Sequence, residues 1–303
     1  MRLAVFTKND TNPAYAAARI GAERAASRHG AQVTHYVPQK ADDVAQQIAL
    51  IDEALASKPD AFIFVPVHVS AVDEAIARVH AAGVPVVNYL NRLSTGPYVT
   101  FVGSDDHAIG REIAGYLARA MKGRGTLVLM EGMPGSITSA ERMVGFREVL
   151  KAHPGIECLA TLQGEYQQVA GRRAMDAFLE KSRVQPDAVL AANDAMALGA
   201  IEALEAHGLR PIVTGVNALP EAIEAIKRGA MLATADFDAL KIACTATEAA
   251  IRHLRGETVP REIILPVQIV DRSNFAPWDK PLEERECLPW DEATRPASAS
   301  SSA

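Results

Sequence analysis

The feature that most limits what this chain can become is its rhythm. Short apolar runs alternate with stretches of helical apolar spacing over nearly its whole length. Leu3–Phe6, Ala61–Val65 and Ala188–Ala192 contain no polar residue, as strands covered on both faces require. The stretches between them carry helix punctuation. Pro13–His29 opens with proline and stops at Gly30, Val72–Ala82 stops at Gly83, and Ala195–His207 stops at Gly208. Strands are expected at Leu3–Phe6, Gln32–Val37, Ala61–Val65 and Val84–Tyr89. After a pause they are expected again at Thr126–Met130, Glu157–Leu162, Ala188–Ala192, Ile212–Val216, Met231–Ala235 and Ile263–Val270. Strands separated by helices of this length build βαβ units and parallel sheets, the mark of an α/β protein.

With 303 residues the chain is too long for one such unit and comfortable for two of ~100–150 residues each. An internal echo supports two similar halves. Pro59-Asp60-Ala61-Phe62-Ile63 recurs as Pro186-Asp187-Ala188-Val189-Leu190. A proline follows each, Pro85 and Pro211, and an asparagine stands six residues past each proline, Asn91 and Asn217. Both asparagines fall just past the carboxyl end of an expected strand, where open α/β sheets bind ligands.

Several function classes lose support. A net charge of −6 is a poor match for nucleic-acid backbones, which call for clustered Lys and Arg. No segment offers the ~18–20 unbroken apolar residues of a membrane-spanning helix. The start, Met1-Arg2-Leu3-Ala4-Val5-Phe6, reads as a core strand rather than a secretion signal. Cys158, Cys244 and Cys287 are far apart with no CxxC, which predicts neither a disulfide framework nor a zinc site; Cys158 and Cys244 are expected to be buried apolar residues. GxGxxG after a strand, GxxxxGK[ST], HExxH and GxSxG are all missing, so no catalytic residue, metal ligand or cofactor is assigned. His68 and His107 lie near expected strand edges, where a solvated loop histidine is the simpler reading.

The strand-edge loops instead suit neutral polar groups. Asn9-Asp10-Thr11-Asn12-Pro13 follows the first strand, with Asn12 placed to cap the helix that Pro13 opens and Tyr15 one turn further. Asn193-Asp194 follows Ala188–Ala192; a capping Asp194 leaves Asn193 unexplained. Arg142 follows the tight Gly132-Met133-Pro134-Gly135-Ser136 loop, although solvation is the usual fate of a helical arginine. Amide, guanidinium and phenol groups suit sugar hydroxyls, which both donate and accept. Beyond Ser273 the pattern changes. Pro277-Trp278-Asp279 recurs as Pro289-Trp290-Asp291, so the tail is expected to dock on something, whereas Pro296–Ala303 is expected to be disordered.

Five segments carry a resemblance: Thr11-Asn12-Pro13-Ala14-Tyr15, Val84-Pro85-Val86-Val87, Gly103-Ser104-Asp105-Asp106, Arg142-Met143-Val144-Gly145-Phe146, and the more specific Ala192-Asn193-Asp194-Ala195-Met196-Ala197-Leu198-Gly199-Ala200. In these the chain resembles the ribose-binding-protein family of periplasmic solute receptors, whose core is shared with lactose-repressor-type regulators. The resemblance implies a type I periplasmic-binding-protein fold, with two Rossmann-like doubly wound parallel-sheet lobes joined by three crossings. These fall near Gly103–Ser104, Ala235–Phe237 and Val267–Asp271. The lobes become 1–103 plus 237–266 and 104–236 plus 267–290, with 291–303 a disordered tail. The ligand positions it implies are Asn12, Tyr15, Asn91, Arg92, Arg142, Tyr166, Asn193, Asn217 and Phe237, with Asp10, Asn88 and Asp236 as further candidates. Asn88 enters because the loop before Asn91 is one residue longer than the family's common form.

There are departures. The family often has aromatics at Ala14 and Val216, Asp at Asn217 and Gln at Phe237. Arg92 and Arg142 with few carboxylates would admit an acidic sugar. The resemblance implies a monomeric periplasmic receptor that closes around a monosaccharide or sugar-like polyol and delivers it to the membrane permease of an ABC transporter. It implies no cofactor and no nucleic-acid partner. A cytoplasmic place follows if the chain is full length. The alternative is the effector-binding domain of a lactose-repressor-type regulator without its DNA-binding segment; an enzyme on the same scaffold ranks below both.

Overall fold

The computed structural model describes residues 1–295. The elements run β1 (Arg2–Phe6), α1 (Pro13–Arg28), β2 (Gln32–Tyr36), α2 (Val44–Ala56), β3 (Ala61–Phe64), α3 (Asp73–Ala81), β4 (Val86–Tyr89) and β5 (Phe101–Gly103). Then come α4 (Asp106–Ala120), β6 (Gly125–Glu131), α5 (Ile137–Ala152), β7 (Ile156–Gln163), α6 (Gln168–Lys181), β8 (Ala188–Ala191), α7 (Asp194–Ala206), β9 (Ile212–Val216), α8 (Pro220–Lys227) and β10 (Ala233–Asp236). The chain ends with α9 (Ala239–Leu254), β11 (Glu262–Ile264), β12 (Gln268–Asp271), a 3-10 turn at Leu282–Glu284 and α10 (Trp290–Ala293).

The chain divides into two compact units. The first comprises Met1–Ser104, Asp238–Pro266 and the segment from Leu282; the second comprises Asp105–Phe237 and Val267–Pro281. The first unit holds a sheet ordered β11-β5-β4-β3-β1-β2, with every neighbouring pair parallel. The second holds β12-β10-β9-β8-β6-β7, parallel except for the antiparallel β10–β12 pair. Strand for strand the two orders match, which makes both sheets Rossmann-like and doubly wound. Each reverses direction of growth between its first and third strands, the point where ligands sit in such folds.

The repeated Pro-Asp pair has the same task in both units. Asp60 and Asp187 each precede the third strand. Each carboxylate accepts the backbone N–H at the start of the neighbouring first strand, from Arg2 at 2.6 Å and from Thr126 at 2.8 Å. Both clasps set strand register at the sheet's amino edge, leaving the carboxyl edge free for function. In the first core the Phe6 ring lies 5.0 Å from those of Tyr36 and Phe62 and 5.2 Å from Phe64. In the second, Leu127–Met130, Ala188–Ala192 and Ala233 are buried among α4, α5 and α7.

Several expectations are corrected. The single last strand over Ile263–Val270 is two strands in two sheets, broken at Leu265–Val267, and Phe101–Gly103 is a strand too short to show any periodicity. Cys244 and Cys287 form a disulfide, whereas Cys158 is exposed on the edge strand β7. The pair was hidden because only folding brings the tail to α9. The tail divides between the units. Trp278 is buried in the second core, whereas the chain from Leu282 returns to the first unit, making a fourth passage between them. There Leu282 and Cys287 pack against Ala17, Ile20, Ala25 and Leu240 of α1 and α9, Arg24 Nη2 donates to the Glu283 carbonyl at 2.6 Å, and the Arg252 guanidinium lies 4.7 Å from the Trp290 ring. Asp291–Arg295 is thus docked through α10, while the disorder expected of Pro296–Ala303 falls outside the described residues. His107 lies in the first turn of α4, 2.7 Å from Glu148, rather than in a loop.

Candidate functional site

In the first unit the loop after β1 is built by its own asparagines. The Asn9 side-chain oxygen accepts from the Asn12 backbone N–H at 2.9 Å and from the Thr11 hydroxyl at 3.3 Å, a turn that side-chain amides favour. Asn12 then caps α1, its Oδ1 accepting from Ala14 N at 3.0 Å. The capping role is therefore real, and it uses only one end of the Asn12 amide. Tyr15 is buried in the first turn of α1, and Asp10 is exposed in the loop. Arg19, which sequence reasoning passed over, reaches back to the Thr7 hydroxyl at 3.1 Å. The signal was its place one turn beyond Tyr15.

After β4 the chain turns through Leu90 at φ 60°, and Asn88 holds that turn together. Its Nδ2 donates to the carbonyls of Phe64 at 3.0 Å and Asn91 at 2.9 Å, and its Oδ1 accepts from Leu93 N at 3.0 Å. Asn88 is fully buried, and both ends of its amide are engaged in these bonds. Its role is to set where Asn91 stands. Arg92 is exposed, pairs with Glu262 and lies 3.9 Å over the Phe101 ring.

The second unit gathers more. Arg142, on α5, is 4% exposed, against the expectation for a helical arginine. Its Nε donates to Asp106 at 2.9 Å and its Nη1 to the Ala192 carbonyl at 2.7 Å, with the Phe237 ring 5.7 Å from its guanidinium carbon. Burial is tolerable because the charge is paired and hydrogen-bonded. The helix reaches this depth because α4 and α5 touch at Gly110, where a Cβ would lie 2.3 Å from the Arg142 carbonyl oxygen. Asp106 is a partner sequence reasoning missed. Its neighbour Asp105 caps α4, and nothing local ties Asp106 to a residue 36 positions away.

Asn193, not Asp194, caps α7. Its Oδ1 accepts from Met196 N at 2.9 Å, and its Nδ2 donates to the Tyr166 carbonyl at 3.3 Å. The Tyr166 ring lies flat on Gly132 at the end of β6, where a Cβ would sit 2.2 Å from the ring carbon Cζ. Arg142, Tyr166, Asn193 and Phe237 are thus brought together at the carboxyl ends of β6, β7, β8 and β10.

Asp194 does different work. It is fully buried, its Oδ1 accepting from the Thr234 hydroxyl at 2.7 Å and its Oδ2 from Leu219 N at 2.9 Å. Burial pushes its carboxyl up to about 6, against the opposing pull of the Thr234 and Leu219 hydrogen bonds and the Arg142 charge. The network pins a strained turn after β9, where Asn217 has φ 123° and Ala218 φ 51°. Such conformations persist only where the surroundings impose them, and they cluster at functional sites. Asn217 N donates to the Ala235 carbonyl at 2.9 Å, which ties Asn217 to the end of β10, one residue before Asp236. Two buried polar atoms here lack any hydrogen-bond partner, Asn217 Oδ1 and the Tyr166 hydroxyl. Orphans of this kind are costly unless something supplies a partner.

Among the described residues no group of three or more His, Cys, Asp or Glu is placed to hold a metal ion, and no helix is long and apolar enough to cross a membrane. Residues 3–258 match the family model of the periplasmic binding protein domain. The ribose import binding protein of Bacillus subtilis is 30% identical over 270 residues, covering 88% of this chain and 85% of that protein. A periplasmic solute binding protein of an ABC transporter from Actinobacillus succinogenes, solved with bound D-allose, superposes with a TM-score of 0.86 at 27% identity, covering 90% of this chain and 98% of that one. A solute binding protein from Bacillus halodurans, solved with myo-inositol, gives 0.84 at 26% identity, covering 92% and 96%. Sheet order, strand-end residues and sequence likeness agree, and this chain belongs to the periplasmic binding protein family.

Proposed function

We propose that the chain is a receptor for a small, uncharged, hydroxyl-rich ligand, a monosaccharide or sugar-like polyol, which it binds without covalent chemistry. The observation that carries this reading is the pair of buried, unpartnered atoms, Asn217 Oδ1 and the Tyr166 hydroxyl, on the strand ends that also hold Arg142 and Asn193. A sugar hydroxyl can donate to the amide oxygen and can either donate to or accept from the phenol. The ligands named for relatives, ribose, D-allose and myo-inositol, are all of this class. Charge supports the uncharged form. Arg142 is paired with Asp106 and Arg92 with Glu262, so neither guanidinium is left to balance an acidic sugar.

In this reading Arg142, Tyr166, Asn193, Asn217, Phe237 and Asp236 of the second unit contact the ligand, as do Asn12, Tyr15 and Asn91 of the first. Arg92 joins only by leaving Glu262. Delivery to the permease of an ABC transporter and a periplasmic location belong to the same reading. The Cys244–Cys287 disulfide supports the location, because such bonds persist in oxidising compartments.

The test is calorimetric titration of protein unfolded and refolded to strip carried ligand, against D-ribose, D-allose, myo-inositol, xylitol and a sugar acid. At least one neutral compound is expected to bind with micromolar affinity or better. Asn217→Ala and Asn12→Ala should each weaken that binding by about 1–3 kcal/mol, since each strands a ligand group. Binding of the sugar acid alone, or of nothing, defeats the reading.

A further inference from the structure

The segment after β12 lies beyond the residues the family model matches, yet it reaches the end of β10. Trp278 is 8% exposed and packs in the second unit's core. Its indole Nε1 donates to Asp236 Oδ2 at 2.6 Å, and Asp236 is 6% exposed. The next residue, Asp279, is held by Lys227 at 3.0 Å, so the segment is also fastened directly beyond the indole. Asp236 is the last residue of β10. The residue before it, Ala235, accepts from Asn217 N, and Asp236 directly precedes Phe237, whose ring faces Arg142.

A buried carboxylate is a poor choice if packing the indole were the only aim. Desolvating it is expensive, and a buried ionic contact contributes little net stability compared with well-packed apolar groups. What a short, charge-assisted hydrogen bond does provide is direction. We propose that Trp278 is a positioning residue of the binding site: it fixes the Asp236 carboxylate, and with it the strand end carrying Phe237, in the geometry the ligand meets. The stretch carrying Trp278, up to Pro281, is then part of the binding machinery of this chain. This inference rests on the receptor reading above.

The test uses the full chain and the tightest-binding compound among D-ribose, D-allose, myo-inositol and xylitol. Trp278→Phe keeps the ring in the core and removes the N–H. It is expected to weaken binding about tenfold. In an Asp236→Ala background the same substitution should have no further effect on affinity. A purely structural tryptophan would instead cost the same in both backgrounds, in step with the melting temperature. Trp290→Phe, which alters the other unit, should leave affinity unchanged and make Trp278 the single tryptophan, since the chain has two. Its emission is then expected to shift on saturation. Equal affinity of Trp278→Phe and the wild type, or equal losses in the two backgrounds, overturns the inference while the receptor reading stands. If Trp278→Phe does not fold, unchanged emission on saturation of the Trp290→Phe protein overturns it. Absence of binding by the wild type defeats the receptor reading and this inference with it.

Discussion

Asp194 offers a test whose sign is unusual for a carboxylate. Its folded-state pKa is raised, from 3.8 to about 6, because burial outweighs its hydrogen bonds. The folded protein therefore holds this proton more tightly than the unfolded chain does. Stability from this group is fully present below the unfolded pKa and is lost as pH rises through the folded one. A shift of roughly two units corresponds to about 3 kcal/mol, of which about 2 kcal/mol is lost between pH ~4 and pH ~7. Asp194→Asn removes the titration and keeps one acceptor oxygen; losing the other costs about 1–3 kcal/mol at every pH.

The wild-type curve alone does not isolate the effect. Asp271, held low by hydrogen bonds from Ser273 and Tyr116 in spite of burial, contributes with the opposite sign. The quantity to measure is the stability of wild type minus that of Asp194→Asn. Urea titrations at half-unit pH steps supply it, in a Trp290→Phe background so that Trp278 emission follows the second unit alone; two-unit chains need not unfold in a single step. The difference should fall by about 2 kcal/mol from pH ~4 to pH ~7 and level off above. A flat difference, or one that rises with pH, would refute the assignment of Asp194 as a buried carboxyl whose ionisation opposes folding.

Two further outcomes follow from the packing. Gly110→Ala would place a methyl 2.3 Å from the Arg142 carbonyl oxygen. The α4–α5 pair must spread, at a cost of about 2–3 kcal/mol, and binding should weaken with it as Arg142 loses its hold on Asp106 and Ala192; unchanged denaturation and affinity would contradict the close-contact account. The Cys244–Cys287 disulfide spans 43 residues, for which loop closure gives about 4 kcal/mol. Cys287→Ser should therefore lower guanidinium stability by up to that amount, and reducing the wild type should reproduce the variant, whereas indifference to reductant would argue against the bond.

The sequence by itself determined the fold class, because a buried parallel strand must be apolar on both faces and several of the helices between stop at glycine. Those rules leave marks at fixed short spacing, as at Ala61–Phe64 and Ala188–Ala191. The Pro-Asp echo was legible for the same reason, since one local clasp is used twice. The strand-end asparagines Asn12, Asn193 and Asn217 could be singled out from their positions after strands.

What those residues do was decided only by tertiary structure. Whether Asn193 or Asp194 capped the helix depended on Thr234, 40 residues away, claiming the carboxylate. Asn88 became a brace for the turn after β4 because the Phe64 carbonyl lay within its reach. Arg142 was drawn inside by Asp106 and the Ala192 carbonyl, the tail was divided by Trp278 and Cys287, and two cysteines judged separate were joined. Each of these outcomes depends on a partner remote along the chain. Hydrogen bonds and disulfides follow distance in space, which apolar periodicity does not encode.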